Sequence, residues 1–330
     1  MDWLSHLFAM MPVSGRLDLR CRYGAPWRID QPAAEAGAIA YHAVLAGSAI
    51  VEDPRDGLPH HLGSGDILLV TSGSAHSLHD GSGAVPEPAQ VRPGLNLAFS
   101  ENAGPGVGLD VLCGHFATSV QHNRLLRAWL PPLLIVRGSA AEDGAGPASR
   151  HVRGLLALMR TETEHESLGG RALLNALSAA LFTLTLRLAS ESEAPPAGLL
   201  ALAAHPRLAP AVTVMFQEPA RAWRLPDLAR LCHMSRATFA RYFRNTLGRS
   251  AADLLLDIRM TLAGNELRKP LGSVAAAAEA AGYQSEAAFQ RVFKLHMGTT
   301  PAQWRRASRL GEPGFQGEAG SADLLPHRRR

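Results

Sequence analysis

Ser235-Arg236-Ala237-Thr238-Phe239-Ala240-Arg241-Tyr242-Phe243-Arg244 and Ser285-Glu286-Ala287-Ala288-Phe289-Gln290-Arg291-Val292-Phe293-Lys294 are two copies of one unit. Carried on to Ser250 and Thr300, the ungapped pairing keeps Ser235/Ser285, Ala237/Ala287, Phe239/Phe289, Arg241/Arg291, Phe243/Phe293 and Gly248/Gly298 identical. Arg244/Lys294, Leu247/Met297 and Ser250/Thr300 are conservative matches, so the stretch is an internal repeat. The serines are N-caps, because a short hydroxyl accepts from an unpaired amide of the first turn. Phe239, Phe243 and Leu247 recur every fourth residue as one buried stripe, and Phe289, Phe293 and Met297 repeat it. Gly248 and Gly298 stand where these helices end. Shorter helices, Pro226 to Leu231 and Val274 to Ala281, precede the caps across the turns Cys232-His233-Met234 and Gly282-Tyr283-Gln284. Pro226 falls near a helix start, where its missing N–H costs nothing. Helix, tight turn and longer helix make the helix-turn-helix layout.

The face opposite the stripes carries the chemistry. At about 100° per residue from Phe239, Arg241 points away from the core, with Ala237, Ala240 and Arg244 beside it. The second copy places Ala287, Gln290, Arg291 and Lys294 on that face. Arginine suits guanine O6/N7 and glutamine suits adenine N6/N7, so double-stranded DNA is the expected partner. Ala251 to Leu267 reads as a continuous helical strut with Leu254, Leu255, Ile258 and Leu262 inward. Such a strut fixes the spacing of two reading helices, and successive major grooves on one DNA face lie ~34 Å apart.

Charge follows the same division. Residues 1–206 hold 14 Arg against 19 Asp and Glu, whereas residues 207–310 hold 16 Lys and Arg against 7 Asp and Glu. An acidic half joined to a basic half points to a polyanion at the C-terminal half. Three cysteines, Cys21, Cys113 and Cys232, are too few and too far apart for a disulfide framework or a CxxC zinc site. No run of ~18 apolar residues and no leader-like N-terminus is visible, so a cytoplasmic protein without membrane contact is expected.

Toward the N-terminus the period changes to that of strands. Ile39 to Leu45, Asp66 to Val70, Leu95 to Phe99 and Val107 to Phe116 read as strands, with Asp80 to Gly94 as a long loop. A helical hairpin follows, with Val152, Leu155, Leu156 and Met159 on one helix. Leu173, Leu177, Leu181, Leu184 and Leu188 hold the stripe of the next; Leu174, Phe182 and Leu186, off that stripe, suggest a homodimer face. The expected division is 1–190 as sensor and dimerisation domain, 191–206 as linker, 207–310 as DNA-binding domain and 311–330 as disordered tail.

Residues Leu208 to Leu310 resemble the C-terminal domain of the AraC/XylS family of transcription regulators. The match rests on the segment from Ser235 to Phe243, Ile258-Arg259, Gly282-Tyr283, Phe289 to Lys294, Gly298, Thr300-Pro301 and Trp304-Arg305. The resemblance implies DNA reading by Ala237, Ala240 and Arg241 and by Glu286, Ala287, Gln290 and Arg291. Arg236 and Thr238, inside the matched segment, complete the first contact set. Ala237 and Ala240 depart from the long polar side chains of other members and offer only methyl contacts. It also implies RNA polymerase as a partner.

The N-terminal half resembles the cupin-type domain of one branch of that family, on Gly65-Asp66-Ile67-Leu68-Leu69-Val70 and Gly73-Ser74-Ala75-His76. Thr71 replaces the expected Pro and Asp80 the expected Asn, and the first cupin motif is not recognisable. A metal-free cupin without cofactor is expected; His42, His60, His61 and His76 are the candidates should metal bind. His60 and His61, adjacent in one strand, point to opposite faces. The segments Met1-Asp2 to Trp27, around His76, Cys113-Gly114 and His205-Pro206-Arg207 are similar to reactive-chlorine-resistance regulators. That implies oxidant sensing by Cys21 and Cys113, with Arg20 and Arg22 expected to favour the Cys21 thiolate. Cys232 fills a tight corner and reads as structural.

The expected fold is α+β multidomain: an N-terminal cupin-like β-barrel with a helical hairpin, and a C-terminal all-α domain with two helix-turn-helix units. The expected function is sequence-specific transcription regulation without catalysis. Two alternatives stand beside the oxidant sensor: a small-molecule-responsive regulator with inert cysteines, and a cupin enzyme fused to a DNA-binding domain. Against the enzyme, residues 1–190 show no metal triad, nucleophile–base pair or phosphate loop.

Overall fold

The computed structural model describes residues 2–53, 55, 57–138 and 146–310. It opens with helix α1 (Trp3–Met10), capped by the Asp2 carboxylate, which accepts from the Ser5 amide at 2.9 Å. The strands β1 (Ser14–Gly24), β2 (Arg28–Gln31), β3 (Ala38–Ala46), β4 (Ala49–Glu52), β5 (Pro59–Leu62) and β6 (Ile67–Val70) follow. They continue as β7 (His76–His79), β8 (Gln90–Pro93), β9 (Ala98–Glu101) and β10 (Gly108–Ala117). After α2 (Val120–Trp129) and β11 (Leu134–Val136) comes the hairpin of α3 (Pro147–Glu164) and α4 (Gly170–Ser190). The sheets run β11-β6-β3-β10-β1-β9-β8 and β2-β7-β4-β5. Strands β1, β2, β4, β5, β7, β11 and the exposed β8 add to those expected from the sequence, and β8 lies inside the expected loop 80–94.

Alternation sorts the side chains. Ala40, His42 and Val44 of β3, Leu68 and Val70 of β6, and Val111 and Cys113 of β10 point into the space between the sheets. Ile39, Tyr41, Leu69, Leu112 and Phe116 point to the other face and meet α4. In β1 the parity switches at a bulge between Leu17 and Leu19. Leu17 faces the helices, whereas Leu19, Cys21 and Tyr23, although also odd-numbered, face the lumen. Asp18 is the extra residue that turns Cys21 inward.

The packed face of α4 differs from the expected leucine stripe. Leu174, Ser178, Leu181, Phe182, Thr185, Leu186 and Ala189 are buried, while Leu173 is 41% exposed. Leucines surround this helix, so periodicity does not choose a face; close approach does. A Cβ on Gly15 would stand 2.2 Å from the Ala179 amide nitrogen, and Ser178 hydrogen-bonds Tyr41 at 2.8 Å. Leu174, Phe182 and Leu186, the residues that suggested a dimer face, are core of their own chain. By length and composition α4 could cross a membrane, but its buried face is packed on β1 and β10.

The remaining chain is helical: α5 (Leu199–Ala204), α6 (Ala209–Gln217), α7 (Leu225–Leu231), α8 (Arg236–Leu247), α9 (Ala251–Arg268), α10 (Val274–Ala280), α11 (Glu286–Met297) and α12 (Pro301–Leu310). Helix α5 lies inside the expected linker, and its Leu199, Leu200 and Leu202 are buried. One apolar cluster runs from Leu7 and Phe116 through Trp129 and Met215 to Phe239 and Leu254, so the two halves share a core. A second cluster joins Met260, Ala263 and Leu267 of α9 to Phe289 and Phe293. The expected tail, 311–330, lies outside the described residues.

Candidate nucleic-acid interface and barrel thiol cluster

Each recognition helix is built as its sequence dictates. The Ser235 hydroxyl accepts from the Thr238 amide at 3.1 Å and the Ser285 hydroxyl from the Ala288 amide at 3.4 Å. Gly248 and Gly298 close the helices in the left-handed conformation, at φ 70° and 78°. Phe239, Phe243, Phe289 and Phe293 are fully buried. The turns are not identical. The left-handed residue is His233 in the first and Gly282 in the second, so the second turn is one residue longer before its cap.

Opposite the phenylalanines, Arg236, Ala237, Arg241 and Arg244 are exposed on α8, with Thr238 and Ala240 half-buried. Thr238 also contacts the Ser235 hydroxyl at 2.9 Å, which ties it to the cap. On α11, Glu286, Ala287, Gln290, Arg291 and Lys294 are all exposed. Among the described residues Arg236, Arg241, Arg244, Arg291 and Lys294 form no ion pair, unlike Arg221, Arg230, Arg249 and Lys269 nearby. Unpaired cations on one side of two exposed helices are available to phosphate or base edges. Arg259, within the matched motif, instead donates to the Pro219 and Arg221 carbonyls at 2.7 Å each and braces the fold.

The barrel gathers a second constellation. Cys21 on β1 and Cys113 on β10 are free, buried and diagonal neighbours on the lumen side of the β1–β10 ladder. Cys113 lies directly opposite His42 of β3, with Nδ1 3.1 Å from Sγ. His42 Nε2 stands 2.8 Å from His76 Nε2, and His76 Nδ1 stands 3.1 Å from the Ser74 carbonyl oxygen. The Tyr23 hydroxyl lies 2.5 Å from the Ser100 hydroxyl. Burial, with the neighbouring His76 second, drives the His42 pKa down to about 3, so this ring is neutral at ordinary pH. The single Cys113 proton can serve Cys21 or His42. Where it serves Cys21, that bond holds the Cys21 pKa below the usual thiol value, and the same bond together with burial pushes Cys113 up.

One expectation is corrected here. Arg20 and Arg22 do not favour the Cys21 thiolate, because strand alternation puts them on the far face. Arg20 pairs there with Asp110 at 2.7 Å and Glu164 at 3.2 Å and donates to Thr163. Of the four histidines named should metal bind, His42 and His76 meet, while His60 and His61 sit on β5 at the sheet edge. Among the described residues no group of three or more His, Cys, Asp or Glu is arranged to hold a metal ion. Cys232 is buried in its corner, and burial raises its pKa.

The sequence reading missed what joins the two constellations. Asp257 of α9 accepts from Trp129 Nε1 at 2.6 Å and pairs with Arg249 at 3.0 Å and His296 at 3.1 Å. The Arg249 guanidinium lies over the Trp129 ring at 4.3 Å. His122 and the Met10 carbonyl hold Asn265 at 2.8 and 2.7 Å, and Arg124 donates to the His296 carbonyl. One acidic residue inside the apolar run of α9 was the available signal.

Residues 2–191 match the family described as Cupin, and residues 228–307 match the family described as Helix-turn-helix domain. An HTH-type transcriptional regulator of Haemophilus influenzae is 28% identical over 94% of this chain and 100% of its own. The RCS-specific HTH-type transcriptional activator RclR of Escherichia coli is 28% identical over 95% of this chain and 100% of its own. Among solved structures, the DNA-binding domain of AdpA in complex with a target DNA is 28% identical over 31% of this chain and 91% of that chain, at a TM-score of 0.29.

Proposed function

The chain belongs to the AraC-type DNA-binding transcription regulators that carry an N-terminal cupin domain, and we propose that α8 and α11 read promoter DNA while the barrel thiols sense an oxidant. The observation that carries the DNA reading is the unpaired cationic face repeated on both recognition helices. Arg241 and Arg291 supply base contacts, with Gln290 beside the latter; Arg236, Arg244 and Lys294 hold phosphates. The regulator works in the cytoplasm, without catalysis, as a homodimer that acts on RNA polymerase. The exposed Leu158, Leu168 and Leu173 of the α3–α4 hairpin offer the face for the second copy.

The sensing step uses a hypohalous acid as oxidant. A Cys21 or Cys113 thiolate attacks its halogen and releases hydroxide; the other thiol then attacks the halogenated sulfur. A disulfide forms, halide leaves, and the displaced proton neutralises the hydroxide, so the sulfurs lose the two electrons that the halogen gains. The two buried thiols face the same lumen as diagonal neighbours on the β1–β10 ladder, which supports this pairing.

Mobility-shift titration of the full chain tests the DNA reading. Arg291→Ala should weaken operator binding by ~1–3 kcal/mol and relax preference at one base pair. Lys294→Ala should weaken all duplexes alike and reduce the salt slope by about one. Unchanged affinity in both variants refutes the assigned face. Mass mapping after hypochlorous acid tests the sensor, and absence of a Cys21–Cys113 bridge refutes it.

A further inference from the structure

The hydrogen bonds around the thiols run in one direction, and a backbone carbonyl sets it. The Ser74 carbonyl can only accept, so His76 carries its proton on Nδ1. In the neutral ring Nε2 is then bare, and it must accept from His42 Nε2–H across 2.8 Å. That leaves His42 Nδ1 bare and facing Cys113 Sγ at 3.1 Å, so the thiol donates to it. Cys113 then has no proton left for Cys21, which faces the same lumen from β1. Reading back from the carbonyl therefore excludes a Cys113 proton spent on Cys21 while both rings are neutral.

We infer that His42 and His76 are positioning residues that make Cys113 the nucleophilic thiol of the pair, with His42 relaying its proton to His76. The inference rests on the thiol-sensing reading above and deepens it. Cys113 Sγ–H passes its proton to His42 Nδ1, and His42 passes its Nε2 proton to His76 Nε2. No atom moves far. The products are a Cys113 thiolate, held by His42 Nδ1–H, and a His76 imidazolium bonded to the Ser74 carbonyl. The charge ends on His76 because His42 is the more deeply buried of the two rings. The titratable groups facing the cluster are Cys21 and Tyr23 from β1, Cys113 from β10, His42 from β3 and His76 from β7. Asp110 acts on Cys21 from the far face, where it pairs with Arg20, whereas Asp18, held by His115 Nδ1 at 2.7 Å, acts on Cys113 from the Cys113 side of β10.

Two-bond proton–nitrogen spectra of the reduced full chain, with 15N-labelled histidine, read the tautomers without any substitution. Nδ1-protonated His76 and Nε2-protonated His42 are expected; a neutral His42 protonated on Nδ1 overturns the inference. Site-resolved alkylation by iodoacetamide tests the relay. Cys113 should react faster than Cys21. His76→Gln keeps a bond to His42 but holds no proton, so it should slow Cys113 by about a hundredfold and move its pH profile upward. An unchanged profile, or a faster Cys21, overturns the relay. Where His76→Gln misfolds, the tautomers of the unaltered chain still decide. A disulfide formed with hypochlorous acid beside an unaltered alkylation profile refutes the relay alone. No disulfide beside the expected tautomers and profile refutes oxidant sensing alone.

Discussion

Replacing Asp257 with alanine should uncouple the two halves of the chain at a calculable cost. Its buried carboxylate accepts from Trp129 at 2.6 Å and pairs with Arg249 and His296. Removing it orphans a buried indole N–H, worth ~1–3 kcal/mol, and removes a charge-assisted bond of ~1.5–3 kcal/mol. The Arg249 side chain is 37% exposed and regains water, so its share is held to ~1 kcal/mol or less. The expected loss is ~3–5 kcal/mol, the usual size for breaking a buried pair. Trp129→Phe removes the N–H together with part of a fully buried ring and should cost ~2–4 kcal/mol. In the double variant no indole is left to orphan, so the combined cost should fall short of the sum by ~1–2 kcal/mol. Urea unfolding of the four proteins measures the cycle. Costs that add within ~0.5 kcal/mol refute the claim that this hydrogen bond latches α2 to α9.

Other predictions concern the turns and the buried imidazoles. Gly282→Ala should destabilise by about 2 kcal/mol or more, since φ is +77° and the new Cβ would stand 2.1 Å from the Ala220 carbonyl. Gly248→Ala meets nothing within 4 Å at φ +70°, so it should cost only ~1 kcal/mol; equal losses in thermal unfolding refute the distinction. His42 has its pKa depressed from 6.5 to about 3, so its stabilising share is complete above pH 6.5. It is lost as pH falls toward 3, because the unfolded chain binds a proton that the folded chain does not. Burial lowers His76 in the same direction. Unfolding free energy should therefore fall on acidification from about pH 6.5, and a curve flat to pH 4.5 refutes the buried neutral pair.

What the sequence made legible was short-range. The repeat, its serine caps, phenylalanine stripes and terminal glycines each act within a few residues, so periodicity alone places α8 and α11. Strand β1 escaped because a bulge at Asp18 breaks its alternation and a fully buried charge, Arg20, sits in its middle. The face of α4 escaped because its leucines encircle the helix, and Gly15 and Ser178 decide which side approaches the sheet. Cys21, Cys113, His42 and His76 were each visible as chemistry. Their assembly was not, since it depends on the register of β10 against β3 and on β7 lying in the facing sheet. The latch escaped for a related reason: Asp257 was counted within a strut, and its partners come from α2, α11 and the turn before α9.

Hydrogen bonds link the thiols to that latch. The Ser74 carbonyl that orients His76 belongs to a turn in which Ser72 N–H donates to the Pro132 carbonyl at 3.1 Å and Thr71 Oγ1 donates to the Pro131 carbonyl. Pro131 follows the end of α2, where Trp129 holds Asp257. If Cys113 is drawn into a disulfide, its proton is gone and His42 Nδ1 loses its donor in a fully buried site. An unsatisfied buried acceptor costs ~1–3 kcal/mol, and the imidazole pair can avoid that cost only by shifting against the Ser74 turn. This is also the usual size of an allosteric coupling, 5- to 150-fold in affinity. Oxidation should therefore change operator affinity within that range in the unaltered chain. The same oxidation should leave Asp257→Ala unresponsive; an equal response in both proteins would show that the signal reaches DNA by another route.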